Sequence, residues 1–164
     1  MPRRADATRR PGGPPAPLAP ALHDAVALRL ERTGQRCTPT RTAVCEVLAG
    51  AGRPLTIPEI LDLDPALAQS SVYRNLVVLE QAGIVHRIVT NAEFARFELT
   101  EDLTGHHHHH LICSRCGAVE DAPAVDAVEQ AVHRAIAEVE RAAGFRTTGH
   151  RIDLVGLCRA CVEP

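Results

Sequence analysis

Lysine and tryptophan are absent from this chain, and tyrosine and methionine occur once each. With three phenylalanines and one tyrosine among 164 residues, the core must be built from Leu, Val, Ile and Ala. No apolar run approaches the roughly 18 residues that a membrane helix needs, so no membrane partner is expected. The arginine-rich start is not followed by an apolar signal core, and a cytoplasmic location is expected. The net charge of −2 excludes a uniformly basic nucleic-acid coat. All 18 basic residues are arginine, and they are unevenly spread. Up to Glu80 ten arginines face eight acids, and beyond it eight face twelve. The weakly basic front half suits an anionic partner. In a reducing compartment the six cysteines read as ligands or buried thiols rather than disulfides.

Residues 1–20 are rich in Pro, Arg and Gly and have little to bury, which predicts a disordered arm. A helix is expected over 22–32, ending near Gly34. Pro39 should open a second helix reaching Gly50, through Val44, Val47 and Leu48. Thr56 should cap a short third helix with Pro58 in its first turn. Ser70 or Ser71 should cap a fourth, stopping at Gly83. Residues 84–89 and 94–99 read as two strands joined by a turn at 90–93. Helices followed by a hairpin make a winged helix-turn-helix, assigned here to residues 21–102. Leu103-Thr104-Gly105 reads as a linker. Residues 103–164 form a second unit: a histidine strand, a long helix from Pro123 to Gly144 with Val125, Val128, Val132, Ile136 and Val139 on one face, and a strand over 150–155. A unit of about 60 residues needs a metal staple or a partner subunit. The fold class is therefore α+β.

The strongest chemical signal is His106-His107-His108-His109-His110 running into Cys113-Ser114-Arg115-Cys116-Gly117, with Cys158 and Cys161 near the end. A two-residue spacer lets both thiols of a pair reach one tetrahedral ion. The helix and strand between the pairs must then fold back, coupling zinc binding to folding. Disulfides or two redox pairs are the alternatives. Cys45, among apolar helix positions, reads as a small buried residue. The histidine run could be an affinity tag, but tags sit at termini and this run enters a strand and a cysteine pair. On a strand, alternate residues face opposite sides. His108 and His110 should serve one site, and His107 and His109 another.

Ser71, Tyr73 and Arg74 open the fourth helix. Val72, Leu76 and Leu79 should pack inward, leaving Tyr73, Arg74 and the serines outward where a recognition helix meets a groove. A capped amphipathic helix carrying one tyrosine is the plain alternative.

Thr38-Pro39-Thr40-Arg41, Ser71-Val72-Tyr73-Arg74-Asn75-Leu76, Gly83-Ile84-Val85, Phe97-Glu98-Leu99, the histidine run with its cysteine pair, Gly144-Phe145 with His150, and the final cysteine pair together resemble the ferric uptake regulator (Fur) family. The likeness runs from about Leu22 to Cys161. It implies a homodimeric, metal-dependent transcription factor, mostly a repressor, that binds a double-stranded DNA operator and controls metal-uptake or metal-homeostasis genes. It implies an N-terminal winged helix and a C-terminal α/β dimerisation domain. Carried across, structural Zn(2+) falls on Cys113, Cys116, Cys158 and Cys161. A sensory site for Fe(2+) or Zn(2+) falls on His86, Glu98, His108 and His110. A third site falls on His107, His109 and His150 with an acid on the long helix. The family's acid aligns with Val128 here, so Asp126 or Glu129 must substitute, and Glu129 is taken. The family's early histidine falls near Pro54 and is missing. Glu98 resembles the iron-sensing branch and His86 the zinc-sensing branch. Peroxide sensors of the family usually carry Asp at the Glu98 position, which ranks a thiol or peroxide sensor lower. An enzyme is not expected: a metal-dependent hydrolase would need an open coordination position and a general base, and no His-Glu-x-x-His helix is present.

Overall fold

A computed structural model describes residues 15–91 and 93–162. Most of the expected arm lies outside them. Leu18, within the stretch assigned to that arm, packs against the first core.

The front unit runs α1 (Pro20–Arg32), α2 (Pro39–Ala51), β1 (Leu55–Thr56), α3 (Ile57–Leu63), α4 (Gln69–Gln81), β2 (Val85–Ile88) and β3 (Arg96–Leu99). Thr38 caps α2 by accepting the Arg41 N–H at 3.4 Å, with Pro39 pre-set in the first turn. Thr56 and Glu59 form a reciprocal capping box on α3. The apolar faces of these helices converge: Val26, Leu30, Val44, Leu48, Ile60, Val72, Leu76 and Leu79 are buried together with Phe97 and Leu99. Each such side chain contributes roughly 1.5–3 kcal/mol on burial. The strands form an antiparallel sheet in the order β1-β3-β2. β1 was not expected: its two residues, paired with Phe97 and Arg96, are too few to show an alternation.

α4 begins a residue or two before the expected serine cap. Its N-cap is Ala68, which has no side-chain acceptor, and the Ala68 carbonyl accepts the Ser71 and Val72 N–H groups. The serines are thereby drawn into the first turn.

After β3, α5 (Glu101–Thr104) packs on the front unit through Leu103, and the back unit then runs β4 (His108–Cys113), β5 (Val119–Pro123), α6 (Asp126–Ala143), β6 (Asp153–Gly156) and α7 (Arg159–Val162). The expected linker at 103–105 is partly helical. Acidic Glu101 and Asp102 favour a helix N-terminus, and Arg29 of α1 pairs with Asp102, tying α5 down. Gly105, at φ +73°, ends the turn. Pro123 does not start the long helix. It closes β5 opposite His108, a strand-end position where its missing N–H costs no ladder bond, and α6 starts three residues later. The last strand is likewise shifted, from 150–155 to Asp153–Gly156.

The second sheet has the order β5-β4-β6, with β4/β5 antiparallel and β4/β6 parallel. Its own core is small. Ile112 and Val119 pack on Ile88 of β2, so the cluster spans both units. All four residues of edge strand β6 are exposed, and no residue of α6 is buried. Leu111, Val128, Val139, Leu154 and Val155 are large apolar side chains left at the surface.

Candidate metal centres and recognition helix

Four thiols meet where the β4–β5 turn faces the segment after β6. Cys113 ends β4, Cys116 lies in the turn, and Cys158 and Cys161 flank the start of α7. All six cysteines are free thiols. Cys116 Sγ and Cys158 Sγ stand 3.7 Å apart, far beyond a disulfide bond of about 2.05 Å. A tetrahedral ion with sulfur at about 2.3 Å would set its ligands about 3.8 Å apart, so the spacing suits zinc. Backbone N–H groups of Cys116 and Cys158 pull Cys113 down to about 6, whereas burial and the neighbouring thiols push Cys161 up to about 12. Four thiols this close resist full ionisation unless a cation sits among them.

The histidine strand divides as its alternation predicts. His108 and His110 join Glu98 and Asp121, with donor atoms from all four within 4.8 Å of one another. Glu98 comes from β3, the two histidines from β4 and Asp121 from β5, so wing and back unit both contribute. His108 Nε2 lies 3.3 Å from Glu98 Oε2 and 3.9 Å from Asp121 Oδ1. His110 Nε2 lies 3.1 Å from Glu98 Oε1, yet it is buried without a hydrogen bond of acceptable geometry. The pair is close enough for an ion contact, and its two donor atoms also lie within 4.8 Å of those of His108 and Asp121, a spacing that one metal ion could bridge. Burial disfavours a charged His110, but Glu98 and Asp153 outweigh it and raise its pKa.

His86 is not one of these four donors but borders them, its ring centroid 6.5 Å from that of His110. It is the cross-strand partner of Glu98, but Arg151 Nη1 lies 2.5 Å from its Nδ1 and 2.7 Å from its Nε2. Burial and the Arg151 charge lower its pKa. Asp121 was missed. It lies directly opposite His110 in the β4/β5 register, a relationship invisible until β5 is recognised.

On the opposite side of β4, His107 and His109 meet His150 and Glu129 within the same 4.8 Å. His109 Nε2 is 2.7 Å from Glu129 Oε1. His150 Nε2 is 3.0 Å from Glu129 Oε2, again buried and without hydrogen-bond geometry. Glu129, not Asp126, supplies the acid, and Val128 is exposed. Burial alone would raise the Glu129 pKa, but the His109 bond and the surrounding imidazoles lower it. His133, whose ring centroid lies 5.9 Å from that of His150, borders this cluster.

On α4, Tyr73 is 60% exposed and Arg74 is exposed, its Nε donating to the Ser70 carbonyl at 3.1 Å. Ser71 does not point outward as expected. It is half-buried and accepts from Asn75 Nδ2 through its carbonyl at 2.8 Å and its Oγ at 3.3 Å. Asn75 Oδ1 in turn accepts from Arg41 Nε at 3.1 Å, which ties α4 to α2. Ser70, Tyr73, Arg74 and Val77 form the exposed face.

A winged helix joined to a four-thiol unit, with two further histidine-carboxylate clusters, defines a metal-binding, DNA-binding transcriptional regulator. The sequence pattern of the ferric uptake regulator family matches residues 32–155, and the chain belongs to that family. It is 31% identical over 140 residues to the peroxide-responsive repressor PerR of Staphylococcus epidermidis, covering 82% of this chain and 86% of that one. The ferric uptake regulator of Vibrio cholerae superimposes with a TM-score of 0.60 at 29% identity, covering 80% of this chain and 98% of that structure. That of Helicobacter pylori superimposes with a TM-score of 0.66 at 23% identity, covering 87% and 93%. The relatives are transcriptional regulators rather than enzymes, which sets the hydrolase reading aside.

Proposed function

We propose that the chain acts in the cytoplasm as a homodimeric repressor whose grip on a DNA operator depends on a divalent metal, and that it controls metal-homeostasis genes. The observation that carries this reading is the Glu98–His108–His110–Asp121 cluster, because its donors come from both the wing and the back unit. An ion held there supplies the positive charge that two carboxylates and two imidazoles converge on. These side chains then fix β3 against β4 and set the angle between the units. That shifts the population towards the dimer whose two α4 helices match successive major grooves.

Cys113, Cys116, Cys158 and Cys161 take the structural zinc. The exposed β6 edge and the apolar face that includes Leu154 and Val155 serve dimerisation. Tyr73 and Arg74 contact the DNA, with Ser71 acting through Asn75. No helix among the described residues is long and apolar enough to cross a membrane.

The donor set bears on the metal. Two nitrogens and two carboxylates make a harder donor set than the one His86 would complete and suit Fe(II) or Mn(II); affinity alone still ranks Zn(II) higher, so metal availability decides between them. The second cluster, with three imidazoles and one carboxylate, suits Zn(II) better. Titrating Fe(II), Mn(II) and Zn(II) at buffered free concentrations against DNA binding tests the assignment. Fe(II) should switch binding on. The peroxide-responsive relative favours a second reading, in which peroxide relieves repression. It requires peroxide to release DNA from the Fe(II)-loaded protein and not from the Mn(II)-loaded one.

A further inference from the structure

Glu101 belongs to neither metal cluster, yet it lies behind a histidine of each. It sits in the first turn of α5, between the wing strand β3 and the histidine strand β4. Its Oε2 lies 2.6 Å from His107 Nδ1, and the opposite nitrogen of that ring, Nε2, faces Glu129 Oε2 at 3.3 Å. Its Oε1 accepts the His108 backbone N–H at 3.1 Å and lies 3.6 Å from His108 Nδ1. The opposite nitrogen of His108, Nε2, faces Glu98 and Asp121. The His108 Nδ1 itself is 3.3 Å from the His106 carbonyl. One carboxylate therefore grips the side chain of His107 and the main chain of His108, whose Nε2 atoms enter different clusters.

An imidazole that binds a metal through Nε2 must keep its proton on Nδ1, and an acceptor behind Nδ1 fixes that tautomer and the ring plane. Glu101 supplies this acceptor to His107. When His107 Nε2 is ligated, its Nδ1–H becomes a stronger donor and holds Oε2 more firmly. The carboxylate is then pinned, and its second oxygen holds the start of β4, including His108, in the ligand-ready position.

We propose that Glu101 is a positioning residue shared by the two clusters, so that filling the His107–His109–Glu129–His150 cluster tightens metal binding at the Glu98–His108–His110–Asp121 cluster. By linkage the effect is reciprocal. Because Glu101 stands on the segment joining the two units, the second cluster reaches the DNA-binding unit through this carboxylate without touching it. The inference rests on the reading above that both clusters hold metal.

The test uses the full-length dimer carrying only its cysteine-bound zinc, titrated with Mn(II) and followed by the electron paramagnetic resonance signal of the free ion. One further equivalent of Zn(II) should tighten Mn(II) binding by about fivefold or more without lowering its stoichiometry. Glu101→Gln should abolish that enhancement and weaken zinc binding at the second cluster about tenfold, with the cysteine zinc and the dimer retained. His150→Ala, which disables the second cluster from its far side, should abolish the enhancement with Glu101 intact. If zinc displaces Mn(II), or if Glu101→Gln keeps the wild-type enhancement, the inference is overturned. If the wild type takes up neither Mn(II) nor a further zinc, the metal-sensing reading itself fails. Uptake of both metals with no coupling refutes the shared carboxylate alone.

Discussion

Glu98 of the wing strand and His110 of the histidine strand approach to 3.1 Å, Oε1 to Nε2, across the junction of the two units. Each is less than a tenth exposed. Glu98 helps to raise the His110 pKa against the opposing effect of burial, so the contact favours a cation beside the carboxylate. Their donor atoms also lie within 4.8 Å of those of His108 and Asp121. Carboxylates gathered this closely in a part-buried junction repel one another unless a cation sits among them, so a bound metal is expected to tighten the junction.

Asp121 and His86 separate the observed cluster from the one expected from sequence. Asp121→Asn should reduce sensory-metal affinity by tenfold or more and shift the metal dependence of DNA binding to match. His86→Ala, which removes a side chain occupied by Arg151, should change that affinity much less. Isothermal titration with the regulatory metal distinguishes the two variants, and the opposite ranking would restore His86 as a ligand.

The four-thiol site predicts a structural failure rather than a sensing defect. The core of the back unit is small, and its Ile112 and Val119 share one cluster with Ile88 of the front unit. Cys113→Ser should release the zinc and cause monomerisation or unfolding. Zinc analysis combined with analytical ultracentrifugation checks this, and a zinc-free, fully dimeric variant would contradict it.

Much of this was legible in the sequence, for identifiable reasons. The division of the histidines followed from the two-residue period of a strand, which needs no knowledge of neighbours. The cysteine pairs have a spacing that few other chemistries require. Asp121 and Glu101 were illegible because each depends on an element the local pattern hides. β5 carries polar residues in its middle and ends in a proline that resembles a helix start. α5 is a single turn, held by Arg29 from a distant helix. Ser71 was placed outward because its inward bond depends on Asn75 one turn later.

On α4, Tyr73→Ala and Arg74→Ala should weaken operator binding while metal content and dimerisation stay intact. If Arg74 meets phosphate, the loss should be similar on every sequence and the salt slope should fall by about one. If it reads a base, discrimination should fall by roughly 1–3 kcal/mol at one position. Salt-dependent fluorescence anisotropy on specific and random duplexes decides between them.

Glu59 gives the front unit a defined acid sensitivity. Burial alone would raise its pKa, but the Thr56 N–H bond and Arg53 outweigh this and lower it from the ordinary 4.5. A lowered folded-state value means that the stabilisation is fully present above the ordinary value. It is lost as pH falls below 4.5 through the folded pKa. Glu59→Gln should cost about 1 kcal/mol at neutral pH, a modest figure because the carboxylate is partly solvated. The deficit should vanish in acid. Urea melts across that range measure it, and a deficit independent of pH would contradict the assignment.

The most direct test of a metal centre joining wing to back unit is DNA binding at buffered free metal. It compares wild type, His108→Ala and His107→Ala on a duplex selected by the metal-loaded protein from a random pool. Wild-type binding should rise steeply with metal, and His107→Ala should keep a response, weakened at most. His108→Ala should lose the response while retaining its cysteine-bound zinc. A His108→Ala protein that binds the duplex with wild-type metal dependence would contradict the account.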